Sequence, residues 1–211
     1  MDLFHTELLP YLDGLVPERP ETFIEMEARA EREGFPIIGP ASGQACYVLA
    51  KLAGAKRVYE LGSGYGYSTA WFAKAVRENG GGEVHHVVWD EGLSRDARNN
   101  LTALGFADLV HYQVGEALSC LEKEEGLMDL IFCDIDKEAY PQAVELAHSK
   151  LKSGGLFIID NMLWSGKVLT EKDQGAATQA IRKTAEMLSD PKHWQSTLIP
   201  IRDGLTVALK I

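Results

Sequence analysis

The chain has 211 residues, 45% hydrophobic and 25% charged, which suits one globular domain with a sizeable core and excludes a disordered composition. A formal net charge of −10 argues against a nucleic-acid backbone as main partner, because phosphate binding needs clustered Lys and Arg. No apolar run approaches the ~20 residues that span a bilayer, and Met1-Asp2-Leu3-Phe4-His5 lacks the basic flank and apolar run of a signal peptide, so a cytoplasmic protein without membrane attachment is expected. Cys46, Cys120 and Cys133 are scattered and lack CxxC spacing, as reduced thiols in a core would be.

Residues 6–14 and 20–33 read as helices, the second with Pro20 in its first turn. A third helix is predicted over 41–53, with Ala45, Val48, Leu49 and Leu52 as its apolar stripe. Strands then alternate with helices: strands over 57–61, 83–89, 109–113, 128–133 and 155–159, helices near 68–78, 93–104, 116–123 and 139–152. Parallel strands need long crossovers and cover on both faces, so this alternation predicts a doubly wound α/β sheet. A last helix near 174–189 precedes strands over 196–201 and 205–210, joined across Arg202-Asp203-Gly204 as an antiparallel hairpin at the sheet edge. The expected fold is thus Rossmann-like, with a mostly parallel seven-stranded sheet in a single domain over 1–211. Residues 1–54 are expected to cover the active site, and 55–211 to form the cofactor- and metal-binding core.

Gly62, Gly64 and Gly66 follow an apolar strand and precede a helix that starts near Ser68. Such a loop permits a tight turn and close ligand approach, and the helix N-terminus offers free N–H groups to an anion. The spacing is GxGxG with Glu60 just before it, unlike the GxGxxG pattern that binds pyrophosphate. An acid beside free N–H groups favours S-adenosylmethionine, whose amino-acid end carries both an ammonium and a carboxylate.

Asp134 and Asp160 end the fourth and fifth strands, where ligands gather in a doubly wound sheet. If those strands are neighbours, the two carboxylates can share one cation, and Asn161 adds an amide oxygen. An all-oxygen set fits Mg²⁺ and tolerates Mn²⁺ or Ca²⁺, whereas zinc would favour His or Cys. Lys137, three residues beyond Asp134, can reach a substrate oxygen at the same place. His85 and His86 are adjacent on one strand and point to opposite faces, so they are not read as a metal pair.

The segments Glu60 to Thr69, Asp134-Ile135-Asp136-Lys137 and Asp160 to Gly166 together resemble the class I, metal-dependent O-methyltransferases, which include catechol and caffeoyl-coenzyme A O-methyltransferases, especially small bacterial members. Ala55-Lys56-Arg57-Val58, Gly154-Gly155-Leu156 and Ile201-Arg202-Asp203-Gly204 extend the resemblance, which runs from about Ile37 to the C-terminus. It implies that Asp134, Asp160 and Asn161 bind Mg²⁺ and that Lys137 is the general base. It implies cofactor contacts at Glu60, Gly62, Gly64, Gly66 and Ser68, an adenine contact at Glu116, and an acid near the cofactor's amino-acid end at Asp136. A homodimer is also implied.

One position departs from the family pattern. Val88 stands where an acidic residue holds the cofactor ribose, and Asp90, two positions on, is the candidate to replace it. The expected reaction is Mg²⁺-dependent methylation of a phenolic hydroxyl on a catechol-like small molecule, with Trp164, Tyr140 and the 162–173 loop shaping the aromatic pocket. Rival readings are a caffeoyl-coenzyme A ester as acceptor, a hydroxylated tRNA base, or a degenerate cofactor-binding protein without turnover.

Overall fold

A computed structural model describes residues 6–211; the leader reading made on Met1 to His5 lies outside the described residues. Three helices, α1 (Leu8–Gly14), α2 (Glu21–Glu33) and α3 (Gly39–Leu52), precede the sheet. The chain then runs β1 (Arg57–Leu61), α4 (Tyr67–Glu78), β2 (Glu83–Val88), α5 (Glu91–Ala103), β3 (Val110–Val114), α6 (Ala117–Lys123), β4 (Met128–Cys133), α7 (Tyr140–Lys150) and β5 (Leu151–Ile159). α8 (Ala176–Leu188) leads into β6 (Trp194–Ile199) and β7 (Leu205–Lys210).

The seven strands lie in the order β3-β2-β1-β4-β5-β7-β6. All pairings from β3 to β5 are parallel, and β7 pairs antiparallel with both β5 and β6. The predicted α/β sheet with a C-terminal antiparallel hairpin is therefore the observed one. Order reverses between β1 and β4, and such a switch point opens a crevice at the carboxyl ends of the strands.

Alternation along the strands divides the core in two. Val58, Val84, Phe132 and Ile158 pack against Trp71 and Phe72 of α4, Leu101 of α5 and the N-terminal helices. Tyr59, Leu61, Ile131 and Phe157 face Leu121 of α6, Val144 of α7 and Ile181 of α8. Successive strand residues point to opposite faces, so each sequence run serves both layers. No described helix is long and apolar enough to cross a membrane.

Two readings of the elements need correction. On α3 the buried residues are Ala41, Ser42, Gly43, Cys46 and Ala50, while Val48 and Leu52 of the predicted stripe are exposed. The cause is close packing on α4: a Cβ added at Gly43 would sit 2.2 Å from Trp71 Nε1, so small residues must face the neighbour. The fifth strand starts at Leu151 rather than 155, because Leu151 already pairs with Met128 before a register shift that accommodates Gly154 at φ +78°.

Candidate active site

Glu60 is the penultimate residue of β1 and is wholly buried. It lies on the α4 side of the sheet, where the Thr69 hydroxyl donates to its Oε2 and Oε1 has no partner. Burial pushes its carboxyl up to about 7, against the opposing pull of the Ser68, Thr69 and Ser63 hydroxyls. The Thr69 hydroxyl also lies 3.1 Å from Nδ1 of buried His86. His85 stacks on Tyr59 in the other layer, so the two histidines are indeed separated by the sheet.

Gly62, Gly64 and Gly66 all have positive φ (+87°, +50° and +91°), a region that disfavours side-chain-bearing residues. What presses on them is protein: a Cβ on Gly62 would sit 2.1 Å from the Asp134 carbonyl oxygen, and one on Gly66 would lie 3.0 Å from Ala97 Cβ. The loop is thus fixed by backbone conformation and by contact with β4. Gly66 caps α4 with no side-chain bond, which leaves the N–H groups of its first turn, near Ser68, without a side-chain acceptor. A buried, half-satisfied carboxylate next to an uncapped helix N-terminus fits a ligand that carries an ammonium and a carboxylate.

β4 and β5 are neighbours, and Cys133 pairs with Ile159, so Asp134 and Asp160 stand at matching positions one residue beyond. Asp160 is wholly buried, and neither carboxylate oxygen accepts a hydrogen bond. Its carboxyl is pushed up to about 7 by burial, with the charge of Asp134 adding to the effect and Arg202 opposing it. The Arg202 guanidinium is 3.6 Å from Asp160 Oδ2. Lys137 donates to Asp134 Oδ1 at 2.9 Å and to the Ile135 carbonyl at 3.1 Å. Two adjacent carboxylates, one of them buried with four empty lone-pair directions, fit a hard cation, with Asn161 as a neutral oxygen donor. Among the described residues no group of three or more His, Cys, Asp or Glu is arranged for a metal.

The backbone beside this pair is strained. The non-glycine residues with positive φ among those described are Asn161, Trp164, Ser165 and Arg202, all at the Asp160 strand end or the β6–β7 connection that packs on it. Met162 N–H donates to the Gly204 carbonyl, Leu163 N–H to the Asp203 carbonyl and Ser165 N–H to Asp203 Oδ1. A Cβ on Gly204 would lie 2.6 Å from Leu163 Cγ, so the two segments are in contact and hold each other. Clustered strain of this kind is characteristic of functional sites.

Other candidates separate. Trp164 is half-buried with its ring 6.0 Å from Lys137 Nζ, in place to border the site. Tyr140 is not a pocket wall: it is wholly buried and its hydroxyl donates to the Asp160 carbonyl, supporting the ligand strand from behind. Glu116 is the exposed N-cap of α6 and accepts from the N–H groups of Leu118 and Ser119, one on each oxygen, which leaves acceptor capacity on both. Asp90 is exposed and caps α5 through Leu93 N–H at 2.7 Å. Asp136 is exposed beside Lys137, with no side-chain bond.

A cleft of about 530 Å³ lies against Arg202 and the N-terminal helices, lined by Phe35, Pro36, Ile37 and Pro40 among others. Arg202 is the one described residue of that cleft that touches Asp160, and a second cleft of about 520 Å³, between α7, α8 and β6, is likewise not lined by Asp134, Lys137, Asp160 or Asn161. Beyond its place in the Ile201-Arg202-Asp203-Gly204 segment, nothing in the sequence gives Arg202 a role at the site. Its only sequence signal is a bulky cation in the turn before Asp203-Gly204, where positive φ is needed.

The O-methyltransferase family model matches residues 22–211. A catechol O-methyltransferase of Niastella koreensis is 29% identical over 210 residues, covering 94% of each chain. A catechol O-methyltransferase of Mycobacterium tuberculosis is 31% identical over 178 residues, covering 82% of this chain and 80% of that one. The crystal structure of the O-methyltransferase TomG of Streptomyces achromogenes, solved in complex with S-adenosylmethionine, superposes with a TM-score of 0.86 at 26% identity and covers 97% of this chain and 96% of that one. With the family match spanning residues 22–211 and the fold in agreement, the chain belongs to the family of S-adenosylmethionine-dependent O-methyltransferases.

Proposed function

We propose that the enzyme transfers the methyl group of S-adenosylmethionine to a phenolic hydroxyl of a catechol-like small molecule, with Mg²⁺ in the oxygen-ligand site and Mn²⁺ or Ca²⁺ as substitutes. The observation that carries this reading is Asp160, wholly buried, with no hydrogen bond to either carboxylate oxygen, and level with Asp134. A divalent ion, when bound, supplies positive charge that makes neighbouring hydroxyls more acidic. S-adenosylmethionine, when bound, supplies the activated methyl group.

The chain's own residues do the rest. Asp134 and Asp160 hold the cation, and the Asn161 amide adds an oxygen without adding charge. Lys137, kept at the site by Asp134 and the Ile135 carbonyl, takes the hydroxyl proton on Nζ when it is neutral. Glu60 faces the cofactor ammonium, and the first turn of α4 faces its carboxylate. Trp164 borders the ring and keeps water away, so the acceptor oxygen and the methyl carbon meet in a fixed orientation. The relatives named catechol O-methyltransferase support this acceptor class. On the family resemblance the enzyme is further proposed to be a cytoplasmic homodimer, a state that sedimentation reads directly.

Labelled S-adenosylmethionine offered with a catechol, a caffeoyl-coenzyme A ester and tRNA tests the reading. Labelled catechol with Mg²⁺, lost in chelator and restored by Mg²⁺, is the expected result. Full activity in excess chelator removes the metal role, and label in tRNA with none in catechol replaces the acceptor.

A further inference from the structure

Arg202 is placed where a side chain is costly. It has φ +50°, in the turn that joins β6 to β7, a conformation that ordinarily selects glycine or asparagine. Its guanidinium is ion-paired with Asp160 Oδ2 at 3.6 Å, outside hydrogen-bond distance, so that its N–H donors form no hydrogen bond among the described residues. The side chain is 30% exposed and lines the cleft beside the site, whose apolar wall includes Phe35, Pro36 and Ile37.

The other charges near that cleft are mostly committed. Arg19 is held by both oxygens of Glu27, Glu27 also accepts from the Tyr67 hydroxyl, and Asp13 accepts from Ala41 N–H. Glu31 is exposed, where water and salt screen it. Arg202 is therefore the cleft cation with unused donors. Its planar fork matches a carboxylate through two parallel hydrogen bonds, a geometry that an uncharged acceptor cannot supply.

We infer that Arg202 reads an acid group on the methyl acceptor, so that the substrate is a catechol bearing a carboxylate. The hydroxyl pair lies toward Asp134, Asp160 and Asn161, the ring packs on the apolar wall, and the carboxylate meets Arg202. This rests on the proposed methyl transfer to a catechol and adds the acceptor's charge.

The test compares kcat/KM for a dihydroxybenzoate and for the matching uncharged dihydroxybenzamide, in the parent, Arg202→Met and Arg202→Lys. The parent should favour the acid by about 10-fold to 100-fold over its preference in Arg202→Met, the range for a charge-assisted pair, and Arg202→Lys should keep part of it. Taking the ratio between acceptors and then between proteins cancels the acceptors' intrinsic acidities. An equal fall for both acceptors would make Arg202 a neutraliser of Asp160 and overturn the inference, as would a preference that survives in Arg202→Met. Methylation of neither acceptor by the parent would strike the methyl-transfer reading itself. Calorimetric titration of the dihydroxybenzoate into parent and Arg202→Met would then still decide Arg202, since equal affinities overturn it.

Discussion

Glu60 and Asp160 lie toward the same carboxyl edge of the sheet, both wholly buried and both pushed up to about 7 by burial, yet their surroundings differ. Glu60 is ringed by the hydroxyls of Ser63, Ser68 and Thr69, on a loop whose unusual backbone is carried by glycines. The carboxylate oxygens of Asp160 accept no hydrogen bond, and the unusual backbone around it is carried by Asn161, Trp164, Ser165 and Arg202. Hydroxyls stabilise a carboxylate while leaving one face open, which suits an ammonium that arrives and leaves with each turnover. A carboxylate without hydrogen bonds to its oxygens costs more to keep, and a cation that engages both oxygens offsets that cost. On the proposed reading, the first environment suits an exchanging organic cation and the second an inorganic one.

The sharpest way to break this contrast is Asp160→Ala. Methylation should fall by roughly a thousandfold or more, the scale of several kcal/mol of charge stabilisation by a metal. The metal-free protein should meanwhile melt at a higher temperature, since a buried carboxylate whose oxygens accept no hydrogen bond has gone. Activity retained in this variant, or a lower melting temperature with unchanged Mg²⁺ response, would show that Asp160 is not a cation ligand.

Lys137→Ala comes next. General-base help typically contributes ~10²-fold to 10⁴-fold, so turnover should drop within that range while affinity for S-adenosylhomocysteine stays near the parent's. Single-turnover rates are the measurement, and an unchanged rate would reduce Lys137 to an ion-pair partner of Asp134.

Glu60→Gln probes the other end. Glu60 keeps its proton to higher pH in the folded chain, about 7 against an ordinary 4.5, so the folded state binds more protons in that window. Its contribution to stability is therefore lost as pH rises from 4.5 to 7, by on the order of 1–3 kcal/mol, and is constant above. Glu60→Gln should flatten part of that slope in denaturant titrations of the ligand-free protein, and weaken cofactor binding at the same time. A slope identical to the parent's would mean that Glu60 is ionised throughout.

Much of this edge was legible in the sequence because strand ends are. Alternating apolar runs located β1, β4 and β5, and parallel pairing then placed Glu60, Asp134 and Asp160 at one edge. Side-chain direction was less legible. Tyr140 follows Lys137 by three residues, a spacing that suggests a pocket wall, but its helix turns it under β5 onto the Asp160 carbonyl. Glu116 and Asp90 are acids at the starts of helices, where capping competes with any ligand, and sequence position does not say which wins. Arg202 stayed silent because its meaning depends on a positive φ and on the long-range contact between two loops.

Asp90 carries the smallest expected effect and separates capping from binding. Its Oδ1 accepts from Leu93 N–H, so Asp90→Ala should cost about 1 kcal/mol of stability through loss of the α5 cap. Its second oxygen remains available at the end of β2, beside Val88, which cannot accept a hydrogen bond from a ribose hydroxyl. If that oxygen takes over the role, S-adenosylhomocysteine should bind about tenfold more weakly to Asp90→Ala, the low end for a hydrogen bond to a charged group. Asp90→Asn keeps a capping oxygen and removes the charge, so it should recover most of the stability and little of the affinity. Calorimetric titration beside denaturant melts reads both quantities. Affinity equal to the parent's in both variants would leave Asp90 as a cap and hand the ribose to a group on the neighbouring strand ends.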